Sequence, residues 1–191
     1  MTGLWPLLTR LGDSSVMLRT GIVIVAWLLL TREWRWPAWL IAAMMLTVAS
    51  KILYLGFGIG IAAIGFRGFS GHSQMASAIL PVLLAGLAPV GKTARAGFVA
   101  GMVLALLVGV SRIEVLAHTP SEVIGGLALG YGVCLLAGQR AATRWREAPW
   151  WLRLAALLVT VWYAVHFVPA PTQGLIGRIA QALARGLPAT L

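Results

Sequence analysis

Apolar residues in this chain come in long blocks, separated by short loops that hold most of the charge. The blocks fall at about 16–31, 36–55, 74–90, 96–112, 120–138 and 150–168, here segments A to F. Each approaches the roughly 20 residues a helix needs to cross a hydrocarbon core. A segment in hydrocarbon must satisfy its own backbone hydrogen bonds. Barrel-type alternation is absent, so helices are the expected solution. Residues 1–15 set Leu4, Trp5, Leu7, Leu8 and Leu11 beside Arg10 and Asp13, which predicts a short amphipathic helix at the interface. A clear basic start and small-residue cleavage site are missing, so a cleavable signal peptide is not expected. From Gln173 to Leu187, the residues Leu175, Ile176, Ile179, Leu183 and Leu187 share a helical face, with Arg178 and Arg185 off it. That stretch is expected to lie along the surface. No linker or composition break interrupts the chain. The pattern therefore predicts one all-α domain over 1–191, a polytopic membrane bundle of six transmembrane helices with a short amphipathic N-terminal helix.

Composition agrees with that medium. Hydrophobic residues make up 60% and charged residues 10%, with a mean hydropathy of +0.89, whereas soluble domains carry about 25% charged residues. A net charge of +10 would suggest nucleic acid in a soluble protein. Here it reflects loop cations and suits anionic headgroups, so the expected partner is the bilayer and not nucleic acid. Cys134, the single cysteine, lies inside segment E and excludes an intrachain disulfide.

Loop charge also predicts orientation. The A–B, C–D and E–F loops hold Arg32, Arg35, Lys92, Arg95, Arg140, Arg144, Arg146 and Arg153. The opposite side holds Arg10, Arg19, Arg178 and Arg185 once Lys51, Arg67 and Arg112 are set aside as site candidates. Eight against four places the basic loops in the cytoplasm and both termini outside. Trp34, Trp36, Trp39, Trp145, Trp150 and Trp151 cluster near those basic loops, as an aromatic belt would.

Parity then brings the remaining polar clusters to one membrane face. Segment B ends near Lys51, C begins after Ser70-Gly71-His72, D ends at Ser111-Arg112, and E begins after His118. These residue types suit a phosphate. Arg offers a planar fork of donors and Lys a point charge. A neutral imidazole held by a carboxylate can attack phosphorus, and a second, protonated one can donate to the leaving oxygen. No Asp, Glu, His and Cys cluster has metal-ligand spacing. Each piece also has a structural explanation. Thr119-Pro120-Ser121-Glu122 makes a capping box, and Lys51 and Arg112 sit at helix ends where cations snorkel. Ser70-Gly71-His72 alone reads equally as a turn, and His166 reads as an interfacial or packed residue. Gly56-x-Gly58-x-Gly60 follows no strand and is not read as a phosphate loop. Gly97-xxx-Gly101 and Gly126-xxx-Gly130 read as close-packing helix faces.

Together these residues resemble the type 2 phosphatidic acid phosphatase superfamily of integral membrane lipid phosphatases. Its motifs are Lys-x6-Arg-Pro, Pro-Ser-Gly-His and Ser-Arg-x5-His-x3-Asp, and the resemblance spans about Lys51 to Glu122. Ser111, Arg112 and His118 match the third motif in type and spacing, with Glu122 at the Asp position. Ser70-Gly71-His72 matches the second, with Phe69 in place of Pro. Lys51 is the candidate first-motif Lys, but Gly58 stands where its Arg belongs, and Arg67 is the nearby candidate to replace it. The resemblance implies a lipid phosphate or diphosphate phosphatase with a phosphohistidine intermediate and no metal or other cofactor. His118 would be the nucleophile, His72 the acid and Glu122 the orienting carboxylate. Lys51, Arg67, Ser70, Gly71 and Arg112 would hold the phosphate. The outward-facing site favours undecaprenyl diphosphate in a bacterial inner membrane. Phosphatidylglycerol phosphate, phosphatidic acid and lipid A phosphates compete, and transfer of the phosphate to another lipid is a related outcome. An impaired relative that only binds anionic lipid is a rival, drawing on the degraded first motif. Both histidines argue against it, since binding needs no nucleophile. A transporter is weaker still, lacking an inverted repeat or a broken-helix pair.

Overall fold

A computed structural model describes residues 4–89, 91–166 and 172–186. In chain order the helices are α1 (Leu4–Leu11), α2 (Ser14–Leu30), α3 (Arg35–Phe57), α4 (Gly71–Leu87), α5 (Lys92–Glu114), α6 (Pro120–Val133), α7 (Gln139–Arg146), α8 (Trp150–Val165) and α9 (Thr172–Gly186). A single wider turn, Cys134–Gly138, joins α6 to α7 without breaking the rod. Residues 1–3 of the N-terminal stretch, residue 90, the end of segment F and Leu187 lie outside the described residues.

Helix α4 is the axis of the bundle, buried along almost its whole length. Its neighbours approach closely because they present glycine. On α5, a Cβ at Gly101 would fall 2.5 Å from the Leu80 carbonyl oxygen, and one at Gly97 would fall 2.7 Å from that of Leu84. On α6, a Cβ at Gly126 would fall 2.5 Å from the Ser70 carbonyl oxygen, and one at Gly130 would overlap Ser77 Oγ and the Gln74 carbonyl oxygen. The two small-xxx-small pairs thus seat α5 and α6 on α4, as their spacing predicts. Pro81 inside α4 has no N–H for the Ser77 carbonyl. That oxygen instead accepts from the Cys134 thiol at 3.3 Å.

Three helices, Arg35–Phe57, Lys92–Glu114 and the continuous Pro120–Arg146, are long and apolar enough to cross a membrane, as expected of an integral membrane protein. A fourth span results if α1 and α2, bent by 41° at their junction, count as one. Helices α4 and α8 are apolar but shorter. At one end of the bundle, Arg140 pairs with buried Glu33, Trp27 Nε1 donates to the Arg144 carbonyl at 2.8 Å, and Arg153 donates to the Gly86 carbonyl at 2.8 Å. Two of the expected belt tryptophans are corrected here. Trp36 and Trp145 are fully buried, whereas Trp34, Trp39, Trp150 and Trp151 are exposed. The Trp145 ring fits where Gly86 leaves room on α4; a Cβ there would overlap it. Proximity to basic loops does not distinguish a belt ring from a core ring at the same depth.

Candidate functional site

The polar clusters meet at the other end of the bundle, and the local chain explains why. Helix α3 closes at Gly58, in the left-handed conformation (φ +69°). The chain then folds into a small loop, with Ile61 and Phe66 exchanging backbone hydrogen bonds at 3.0 and 3.1 Å. The loop comes back across α3 at Gly68. There φ is +133°, and a Cβ would fall 3.1–3.3 Å from Lys51. Only glycine tolerates both constraints. The loop is fastened to the start of α6 by Thr119 Oγ1 donating to the Gly65 carbonyl (3.2 Å) and Ser121 Oγ to that of Ile64 (2.9 Å). Lys51, buried near the end of α3, is thereby held under the loop.

The spacing between Arg112 and His118 has a structural cause. After α5 the chain reverses through Leu116, left-handed at φ +56°. The Arg112 carbonyl accepts the N–H of both Ala117 (3.0 Å) and His118 (3.1 Å). Thr119 and Pro120 then start α6, which sets Glu122 one turn beyond His118 on the same side. His118 Nδ1 lies 2.6 Å from Glu122 Oε2. A carboxylate has no proton to give, so Nδ1 carries it and Nε2 keeps the lone pair. Glu122 also accepts the Thr119 N–H (3.2 Å) and, on Oε1, the Arg67 N–H (3.0 Å). The helix-cap role and the histidine-orienting contact are therefore made by one carboxylate.

Electrostatics keep this imidazole neutral. Burial, the largest effect, lowers the His118 pKa below its ordinary value near 6.5; Glu122 opposes this, while Lys51 and Arg112 reinforce it. A cavity of about 300 Å³ is lined by His118, Glu122, Lys51, Arg67 and Gly68, among others. Arg67 is exposed, its Nε 3.8 Å from Glu122 Oε1.

Other predicted site residues stand elsewhere. Arg112 does not line this cavity; its Nε is buried with no hydrogen-bond partner among the described residues. Ser70 is fully buried and caps α4, its hydroxyl accepting from the Ser73 hydroxyl at 2.9 Å. Its backbone N–H donates to the Glu122 carbonyl at 3.0 Å, locking the second motif to the third. Gly71 and His72, in the first turn of α4, line a second cavity, which also reaches Lys51. His166 is exposed and stacks on Trp162 at 3.8 Å.

Two contacts from the N-terminal segment have no counterpart in the sequence reading. Asp13 Oδ2 lies 3.3 Å from His72 Nε2. The same side chain caps α2 by accepting the Ser15 N–H at 2.7 Å. Thr9 Oγ1 lies 2.8 Å from Ser111 Oγ, tying α1 to the end of α5. A signal was present: Asp13 is the one aspartate in a chain with five acidic residues, and an ionisable group in an apolar segment is a functional candidate by default.

The PAP2 superfamily pattern matches residues 63–146, a stretch that includes Arg67, His72, Arg112, His118 and Glu122 and omits Lys51 and Asp13. A Klebsiella pneumoniae protein described as an uncharacterized 22.5 kDa protein in the cps region is 35% identical over 191 aligned residues, covering 94% of this chain and 91% of that protein. No solved structure matches the chain. With the third-motif spacing closed onto an imidazole–carboxylate pair and a relative matching nearly end to end, this chain belongs to the PAP2 superfamily.

Proposed function

We propose that this protein is a membrane phosphatase that removes the terminal phosphate of a lipid phosphate or diphosphate through a phosphohistidine. The observation that carries the reading is the His118–Glu122 pair facing a cavity that Lys51 and Arg67 also line. The neutral Nε2 of His118 attacks phosphorus and forms a P–N bond as the bond to the leaving oxygen breaks. His72 gives that oxygen its proton. Water then attacks the phosphohistidine and returns a proton to His72, releasing inorganic phosphate and free His118. Charge on the transferring phosphoryl oxygens is met by Lys51 and Arg67. The unpartnered Nε of Arg112 is a further donor that a small side-chain shift would offer. Asp13 is a positioning residue that fixes the His72 ring. No step calls for a metal.

The same reading extends to the membrane. Six transmembrane helices in a single domain, with α4 and α8 as short spans, put the loops holding Arg32 and Arg35, Lys92 and Arg95, and Arg140 to Arg153 in the cytoplasm. The site then faces the periplasm of a bacterial inner membrane. Undecaprenyl diphosphate is the favoured substrate there. A protein that merely bound anionic lipid would need the cations but not an imidazole oriented by a carboxylate. Phosphate release by purified protein, measured across undecaprenyl diphosphate, phosphatidylglycerol phosphate, phosphatidic acid and lipid A phosphates, tests the proposal. Turnover of at least one, absent in His118→Ala, is expected. Turnover of none would leave the binding role.

A further inference from the structure

Two cavities meet at Lys51. The polar one holds His118; the other, about 240 Å³, runs between α2, α3, α4 and α9. Its wall is almost entirely apolar, including Leu18, Met44, Val48, Met75, Ile176 and Ile179, and its polar end carries Lys51 and His72. Helix α9 is seated against α3. Ala180 is fully buried, and a Cβ at Gly56 would fall 2.9 Å from its carbonyl oxygen. Arg178 and Arg185 are exposed. The wall residues Leu18, Met44, Val48, Ile176 and Ile179 all lie outside the stretch matched by the family pattern.

We propose that this groove binds the apolar chain of the lipid substrate, with α9 as its outer wall. The inference rests on the phosphatase reading and deepens it. In-line displacement puts nucleophile and leaving oxygen on opposite sides of phosphorus. His118 opens to the polar cavity, and His72, which protonates the leaving oxygen, opens to the apolar one. Lys51 belongs to both and marks the position of the phosphate between them. An alcohol leaving toward His72 carries its chain along the groove between α3 and α9. Chain length is then read by this groove, each buried methylene contributing roughly fourfold in binding.

The test compares dioleoyl with dihexanoyl phosphatidic acid in detergent micelles, using wild type, Ile179→Trp and Val48→Trp. A bulky indole on either wall should lower kcat/KM for the dioleoyl lipid at least tenfold and change the dihexanoyl value less than twofold. Equal loss on both lipids, or no loss on either, would overturn the groove. Photocrosslinking separates this from the chemistry. In His118→Ala protein, phosphatidic acid with a diazirine in its acyl chain should label α9. Labelling confined to other helices overturns the groove even if wild type is an active phosphatase. Labelling of α9 with no wild-type turnover would keep the groove and remove the phosphatase reading.

Discussion

Asp13 and His72 face each other across two helices, with Oδ2 and Nε2 3.3 Å apart and both residues buried. Each histidine of the site thus has its own carboxylate: Glu122 for His118 within one turn of chain, and Asp13 for His72 from the α1–α2 junction. Asp13→Asn retains a cap for α2 but replaces the carboxylate that holds the His72 ring with an amide. It is expected to lower kcat at least tenfold with little change in KM. An unchanged kcat with a lower Tm alone would make Asp13 a helix cap and nothing more.

Glu122 makes a contact that distinguishes charge from shape. Glu122→Gln keeps a hydrogen-bonding side chain of the same length but cannot fix His118 as a carboxylate does. A loss of about 10²-fold in kcat is expected, equivalent to about 3 kcal/mol in the barrier. Glu122→Asp, the family's own residue, is expected to keep part of the rate. If Gln retains wild-type turnover, the carboxylate serves only the helix start.

Arg67 tests whether the missing first-motif Arg has been replaced from the loop. Arg67→Ala is expected to cost about 10²-fold in kcat/KM through the lost charge-assisted contact, and Arg67→Lys to recover little, since a point charge does not reproduce the planar fork. Its exposed position and its contact with Glu122 leave the guanidinium free to swing onto a phosphate. Wild-type rates in Arg67→Ala would return the phosphate to Lys51 and Arg112 alone.

The lowered pKa of His118 has a stability consequence with a definite sign. Between its folded value and 6.5, the unfolded chain binds a proton there and the folded chain does not, so this group makes stability rise with pH across that window and adds no slope outside it. His118→Gln should flatten the loss of Tm between pH 6.5 and pH 5 in detergent. The acid limb of wild-type kcat/KM should correspondingly lie below 6.5. An acid limb above 6.5 would contradict a buried, neutral nucleophile.

Much of this was legible in the chain, for physical reasons that also mark where legibility ends. Helices in an apolar medium announce themselves by length and hydrophobicity, and segments A to F recur as α2 to α8 with shifted ends. The glycine pairs at 97/101 and 126/130 encode packing because spacing alone puts them on one face. Glu122 and His118 are four residues apart, so their contact follows from helix geometry. Asp13–His72 and Thr9–Ser111 leave no such trace, since their partners come from remote helices and their spacing carries no period. Arg112 matched the motif, and its carbonyl takes up the turn that places His118. Trp36 and Trp145 show a related limit: the same ring at the same depth is belt or core according to what packs on it.

Close packing on α4 yields a stability prediction independent of the chemistry. Gly130→Val drives a side chain into Ser77 and the Gln74 carbonyl. Backbone cannot give way, so a loss of at least about 1–3 kcal/mol is expected. Gly132→Ala, with nothing within 4 Å of the added Cβ, should be neutral or slightly stabilising. Thermal unfolding in detergent reads both, and equal Tm values would contradict the packing.

The most direct test of the account is to trap the covalent intermediate. Purified wild type mixed with a ³²P-labelled lipid phosphate and quenched in alkali should retain protein-bound, acid-labile phosphate, located by mass spectrometry on His118. His118→Ala should carry none and release no phosphate. Wild-type turnover in His118→Ala, or acid-labile phosphate bound to a residue other than His118, would contradict the central claim.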